Sequence, residues 1–207
     1  MMRHWINLCE GTWDSGSTVT LYHGASSAYL DIIKAQGLLP PQEDIRAYAY
    51  EVLRDYIPEN QWTPELLADV EKHAVRPAIR TGDRGAAIYF MPQDNRSGFG
   101  VRSYARGHCQ YGGEIAYNVW ESACAFLRPD IDRGDLRTNP PLKPRFEQAF
   151  PILVTVEVPK EWCITDTPSS DDIPGDHEVR ITRIVPPEMI KRIVSLAYGD
   201  DEIRLFP

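Results

Sequence analysis

A chain of 207 residues, 43% apolar and 25% charged, is long enough to bury one substantial core and too apolar to be disordered. Its net charge of −8 excludes a nucleic-acid binder that works through overall positive charge. No apolar run approaches the roughly 18 to 20 residues that cross a bilayer, and the opening MMRHWINLCEGTWDSG lacks a signal-peptide core, so a single cytoplasmic domain over residues 1–207 is expected.

In chain order, STVTLYHG alternates as a strand does, with β-branched residues and a tyrosine suited to a pleated surface. Ser26 and Ser27 cap a helix over Ala28–Gln36, which Gly37 stops and Pro40-Pro41 bars from continuing. Apolar residues at helical spacing predict helices over 42–57 and 64–76, a helical insertion occupying about 40–85. AAIYFM reads as a second strand entered through the turn TGDRG, and helices follow over Val101–Cys109 and Glu114–Leu127. Five prolines between 129 and 151 predict a surface loop. PILVTVEV is the strongest strand pattern. TDTPSSDDIPGD reads as a polar loop, and HEVRITRIV, IKRIVSLAYG and EIRLF as the closing strands, which together give an α+β fold.

Two features need weighing apart from secondary structure. The scattered Cys9, Cys109, Cys124 and Cys163 form no CxxC pair, so they read as core or half-buried thiols and no metal site is expected. Between Lys72 and Cys109 the seven basic residues Lys72, Arg76, Arg80, Arg84, Arg96, Arg102 and Arg106 outnumber Asp83 and Asp94 by five, a local cationic segment in an acidic chain.

Four windows together carry a resemblance: LYHGASSAYLDIIKAQGLLP, RGAAIYFMP, VRSYARG and HEVRITRIVPPEMI. In this order they resemble the ADP-ribosyltransferase superfamily, in the His-Tyr-Glu branch that holds diphtheria toxin and the poly(ADP-ribose) polymerases. The resemblance implies a split β-sheet core with helices inserted between the early strands. It also implies NAD+ as substrate, no metal, and transfer of ADP-ribose to a macromolecular acceptor with release of nicotinamide. Bacterial and phage toxins, defence proteins and delivered effectors share this scaffold, so the site of action is the cytoplasm of the producing cell or of a target cell.

On this resemblance His23, Tyr89 and Glu178 are the catalytic signature, and His23, Gly24, Tyr89, Tyr104 and Ser103 bind the dinucleotide. Breaking the nicotinamide–ribose bond develops positive charge on the ribose, which a nearby carboxylate such as Glu178 stabilises. Flat, cationic nicotinamide suits a slot between the rings of Tyr89 and Tyr104. Gly24 would grip the carboxamide through its backbone, and His23 would bond a ribose hydroxyl. Polymerase-type members carry a serine three residues before the second tyrosine; Val101 stands there in this chain, with Ser103 or Ser97 as replacements.

The acidic loop with Asp166, Asp171, Asp172 and Asp176 favours a protein acceptor over nucleic acid, with Asp176 as a target-binding residue. The alternatives are an NAD+ glycohydrolase, an RNA 2′-phosphotransferase-like enzyme that holds a phosphate with arginines, and a non-catalytic module binding NAD+ or ADP-ribose.

Overall fold

The computed structural model describes residues 18–40, 44–80, 87–92, 100–130, 132–136, 138, 140–165, 178–197 and 201–203. In chain order the elements are β1 (Thr18–Ser26), α1 (Leu30–Gln36), α2 (Ile45–Arg54), α3 (Pro64–Val70), α4 (Arg76–Arg80), β2 (Ile88–Phe90), α5 (Val101–His108), α6 (Glu114–Leu127), α7 (Arg133–Leu136), β3 (Pro151–Pro159), β4 (Ile164–Thr165), β5 (Val179–Ile181), β6 (Ile190–Ser195) and β7 (Asp201–Ile203).

The two most regular strand patterns find each other: β1 and β3 pair antiparallel over nine residues, from Thr18 opposite Pro159 to Ser26 opposite Pro151. β6 and β7 extend that sheet in the order β1-β3-β6-β7, while the shorter strands form a second antiparallel sheet, β2-β5-β4. The fold is therefore mixed α+β with two small sheets. Alternation on each strand sends one set of side chains into a shared core. Leu21 of β1, Val154 and Val156 of β3, Phe90 of β2, Ile181 of β5 and Ile193 of β6 meet there, with Ile33 of α1.

Helix ends follow local chemistry. Ser26 accepts a hydrogen bond from the Ala28 N–H at 3.2 Å and donates to the Cys109 carbonyl at 2.6 Å, while Gly37 stops α1 at φ 83°. Asp44 caps α2 through the Ala47 N–H, and Thr63 caps α3 ahead of Pro64. The helix predicted to end at residue 76 continues to Arg80. It passes Pro77 by way of a π turn over Glu71–Val75, in which the Arg76 N–H bonds the Glu71 carbonyl five residues back.

The predicted insertion closes on α6 to form a second core. Ala49, Val52, Leu53, Leu66, Val70 and Ala74 pack against Ala116, Val119 and Ala123, the alanines allowing close helix approach. The proline-rich stretch before β3 is more ordered than a surface loop: it contains α7 and straps this lobe. The Trp120 Nε1–H donates to the Leu142 carbonyl at 3.1 Å, Arg145 Nε meets Asp55 at 2.7 Å, and the Phe146 N–H donates to Gln110.

Among the described residues of HEVRITRIV, only Val179–Ile181 form a strand. Val185 leaves the β2-β5-β4 sheet and instead exchanges both backbone bonds with Leu38, just past the end of α1. Cys109 and Cys124 are buried thiols and Cys163 is half-buried. Among the described residues no helix is long and apolar enough to cross a membrane.

Candidate active site

The two sheets touch at one point. Tyr22 of β1 and Met91, the residue after β2, exchange both backbone hydrogen bonds at 2.9 Å. Carrying that register onward would set Gly24 opposite Tyr89, but the ladder stops. The Tyr89 carbonyl, which points toward β1 as that of Met91 does, is taken instead by the His23 side chain, with Nδ1 at 2.8 Å. A carbonyl oxygen only accepts, so Nδ1 carries the proton and Nε2 keeps a lone pair. Burial holds this imidazole below its ordinary pKa of 6.5, against the opposing pull of the Tyr89 carbonyl, and its ring lies 5.5 Å from that of Phe90.

The split leaves Gly24 in a particular position. Backbone N–H and C=O groups two residues apart on a strand point the same way, so those of Gly24, like those of Tyr22, face away from β3. No neighbouring strand among the described residues pairs with them. The other side of Gly24 is filled: a β-carbon there would lie 2.4 Å from the Val101 carbonyl oxygen and 3.0 Å from the Ala105 β-carbon. The lack of a side chain at Gly24 thus serves the seating of α5 on β1. Val101, at the position where a serine was sought, is buried with Ala105, Leu153 and Val194 and contributes to packing.

The face of the sheets that carries α5 also collects the other predicted residues. Ile88 and Phe90 turn into the core, which places half-buried Tyr89 on the opposite face of β2. Tyr89 is paired with Arg180 on β5, whose core-facing neighbours Val179 and Ile181 put Arg180 on the same face as Tyr89. Exposed Glu178, two residues before Arg180, continues that alternation. Burial first, then the negative charges of Glu114 and Glu178 against the opposing Glu114 backbone N–H, push the phenol of Tyr104 on α5 up to about 12. Tyr104 is 41% exposed, and its ring meets that of His108 edge-on at 4.8 Å.

Tyr89 and Glu178 thus share one face of β2 and β5, Tyr104 lies on the helix seated over Gly24, and His23 bonds across the split. Ser103 is exposed on α5. Val101, Arg102 and Ala105 form the buried stripe of that helix, with Tyr104 and His108 on one flank and Arg106 on the other.

The described residues of the cationic segment divide between the helical lobe and α5. Arg102 is buried, and exposed Lys72 and Arg76 belong to the helical lobe. The Arg80 side chain, Arg84, Arg96, Ser97, Phe99 and the acidic loop with Asp166, Asp171, Asp172 and Asp176 lie outside the described residues. Among the described residues no cluster of His, Cys, Asp and Glu could hold a metal ion.

Two residues near the site were missed in the sequence. Arg180 was legible as the second residue after Glu178 on an alternating strand; Glu114 carried no signal beyond the two glycines before it. Comparison of the chain with family models, curated proteins and solved structures returns no match.

Proposed function

We propose that the protein is an NAD+-consuming mono-ADP-ribosyltransferase with an ADP-ribosyltransferase-like split sheet, which releases nicotinamide and passes ADP-ribose to a macromolecular acceptor. The observation that carries this reading is the Gly24 backbone, which offers a donor and an acceptor side by side at the sheet split. A primary carboxamide has the complementary pair, so nicotinamide would dock there as a short strand does on a sheet edge.

The surrounding groups suit the rest of the dinucleotide. Tyr89 and Tyr104 supply aromatic walls for the cationic ring, and Nε2 of the neutral His23 accepts from a ribose hydroxyl. Arg180, beside Tyr89, has the charge to face the two phosphates. Glu178 stabilises the positive charge that grows on the ribose as nicotinamide leaves.

The test is nicotinamide release from NAD+, followed chromatographically. Glu178→Gln keeps the shape and removes the charge, and the rate should drop by on the order of 10² to 10³ with NAD+ affinity little changed. Near-normal turnover of that variant would remove Glu178 from the chemistry. No nicotinamide from the wild-type chain would overturn the reading in favour of a binding module. Free ADP-ribose as sole product, with no label transferred to a cell lysate, would make the protein a glycohydrolase.

A further inference from the structure

We infer that His108 is the positioning residue of the Tyr104 wall, and that through it the helical lobe decides where that ring stands. The inference rests on the reading that Tyr104 is one wall of the nicotinamide slot, and it adds what holds the wall.

The seating of α5 on the sheet does not hold the Tyr104 ring. Val101, Arg102 and Ala105 form the buried stripe of the helix, and the close approach to Gly24 is made by Val101 and Ala105. Tyr104 lies beside that stripe and is largely open to solvent. A phenol ring there turns about its side-chain bonds unless a neighbour limits it. The neighbour on its own face of the helix is His108, four residues on, whose ring meets that of Tyr104 edge-on at 4.8 Å.

His108 is itself fixed twice. Its carbonyl receives the N–H groups of Tyr111, Gly112 and Gly113 at 3.1, 3.1 and 3.3 Å, so its backbone sits at the reversal from α5 to α6. Its ring lies 5.2 Å from that of Tyr117 on the returning helix. From there the row runs inward: the Tyr111 ring is 4.9 Å from Tyr117 and 4.7 Å from Trp120, and buried Trp120 donates to the Leu142 carbonyl at 3.1 Å. The exposed ring at one end is thus tied, through His108, Tyr117, Tyr111 and Trp120, to the proline-rich strap at the other.

What His108 contributes to this row is its ring. Its Nδ1 is buried with no hydrogen-bond partner among the described residues, and burial keeps the imidazole below its ordinary pKa of 6.5. A neutral imidazole whose inward nitrogen bonds nothing works between two phenols by ring contact. Edge-to-face contact is directional, so it limits the rotation of Tyr104 as an aliphatic side chain of similar bulk does not.

The test is steady-state nicotinamide release by the full chain with NAD+ varied. His108→Leu keeps the bulk and removes the ring; KM for NAD+ should rise about 3- to 10-fold, the scale of one aromatic pair, with kcat within about twofold of wild type. His108→Phe should restore the wild-type KM. Tyr104→Ala should raise KM as well, and adding His108→Leu to it should change KM no further, because the ring being positioned is gone. A role in stability alone would instead lower the melting temperature and leave KM untouched. Wild-type KM in His108→Leu overturns the inference, as do a His108→Phe variant no better than His108→Leu and a double variant whose effects add. These outcomes leave the transferase or hydrolase reading standing, whereas a wild-type chain that neither binds NAD+ nor releases nicotinamide removes both.

Discussion

Replacing Gly24 with alanine tests the seating of α5 on the sheet. The new β-carbon would sit 2.4 Å from the Val101 carbonyl oxygen, about 0.9 Å inside an ordinary carbon–oxygen contact of about 3.3 Å, and 3.0 Å from the Ala105 β-carbon. Backbone of a helix cannot rotate aside, so α5 must move as a unit or β1 must bow. Overpacking of this kind costs about 1–3 kcal/mol. The backbone at Gly24 is not in the left-handed region, so alanine also stiffens the unfolded chain and offsets about 0.4–1 kcal/mol of that cost. Urea unfolding should therefore show a lowered midpoint at constant slope, worth about 1–2 kcal/mol. Gly107→Ala, on the same helix with nothing within 4 Å of the added carbon, should change stability in the opposite direction by about 0.5–1 kcal/mol. Equal midpoints for wild type and Gly24→Ala would refute the close approach, and with it the account of why glycine follows His23.

Two other expectations follow from the site. His23, His73 and His108 are each held below the ordinary 6.5, burial being the largest cause in each. As pH falls through 6.5 the unfolded chain takes up protons that the folded chain refuses until lower pH, so stability declines over that window and is fully present above it. The melting temperature should be lower at pH 5.5 than at 7.5, and His108→Phe, which keeps an aromatic ring beside Tyr104 and Tyr117, should narrow the gap; a flat wild-type profile contradicts the shifts. On the binding side, Tyr89→Ala should weaken NAD+ by about tenfold in calorimetry while Tyr89→Phe stays close to wild type, the scale of one aromatic stacking contact. Tyr89→Ala with wild-type affinity would mean that this ring is not a wall of the slot.

The sequence was most legible where one local rule acts alone. Alternation and β-branching marked β1 and β3, Gly37 marked the end of α1, and Gly113 and Glu114 opened α6 where helical spacing put its start. It was less legible where distant partners decide. HEVRITRIV carries enough β-formers for a long strand, yet Val185 pairs with Leu38, a choice set by where α1 ends. The helix expected to end at residue 76 runs on past Pro77, because nothing local announces a π turn. At the site, the residue types of His23, Gly24 and Tyr89 were readable, but not that the imidazole would replace a ladder bond to the Tyr89 carbonyl. The approach of Glu114 to Tyr104 was invisible because it depends on a reversal that brings α6 back to α5.

The helical lobe gives a reason for that reversal. α6 presents Ala116, Val119 and Ala123 to α2 and to the long helix through α3 and α4, while its Tyr117 and Trp120 lie in the aromatic row that begins at Tyr104. Without residues 44–80 the first of these faces would be bare, and a 14-residue helix held only by its other side would not fix its N-terminus. On the transferase reading the labour therefore divides by element. The sheets hold His23, Gly24, Tyr89 and Glu178, the proposed donor side, and the lobe holds α6. Tyr104 joins the two, since the helix that carries it rests on Gly24 and its hydroxyl meets the first turn of α6. A shift of α6 would move Glu114 relative to Tyr104 while the backbone edge of Gly24 stays in place. On that reading a change confined to the helical lobe would alter α6 without disturbing the sheet edge at Gly24, because the two are anchored in different cores.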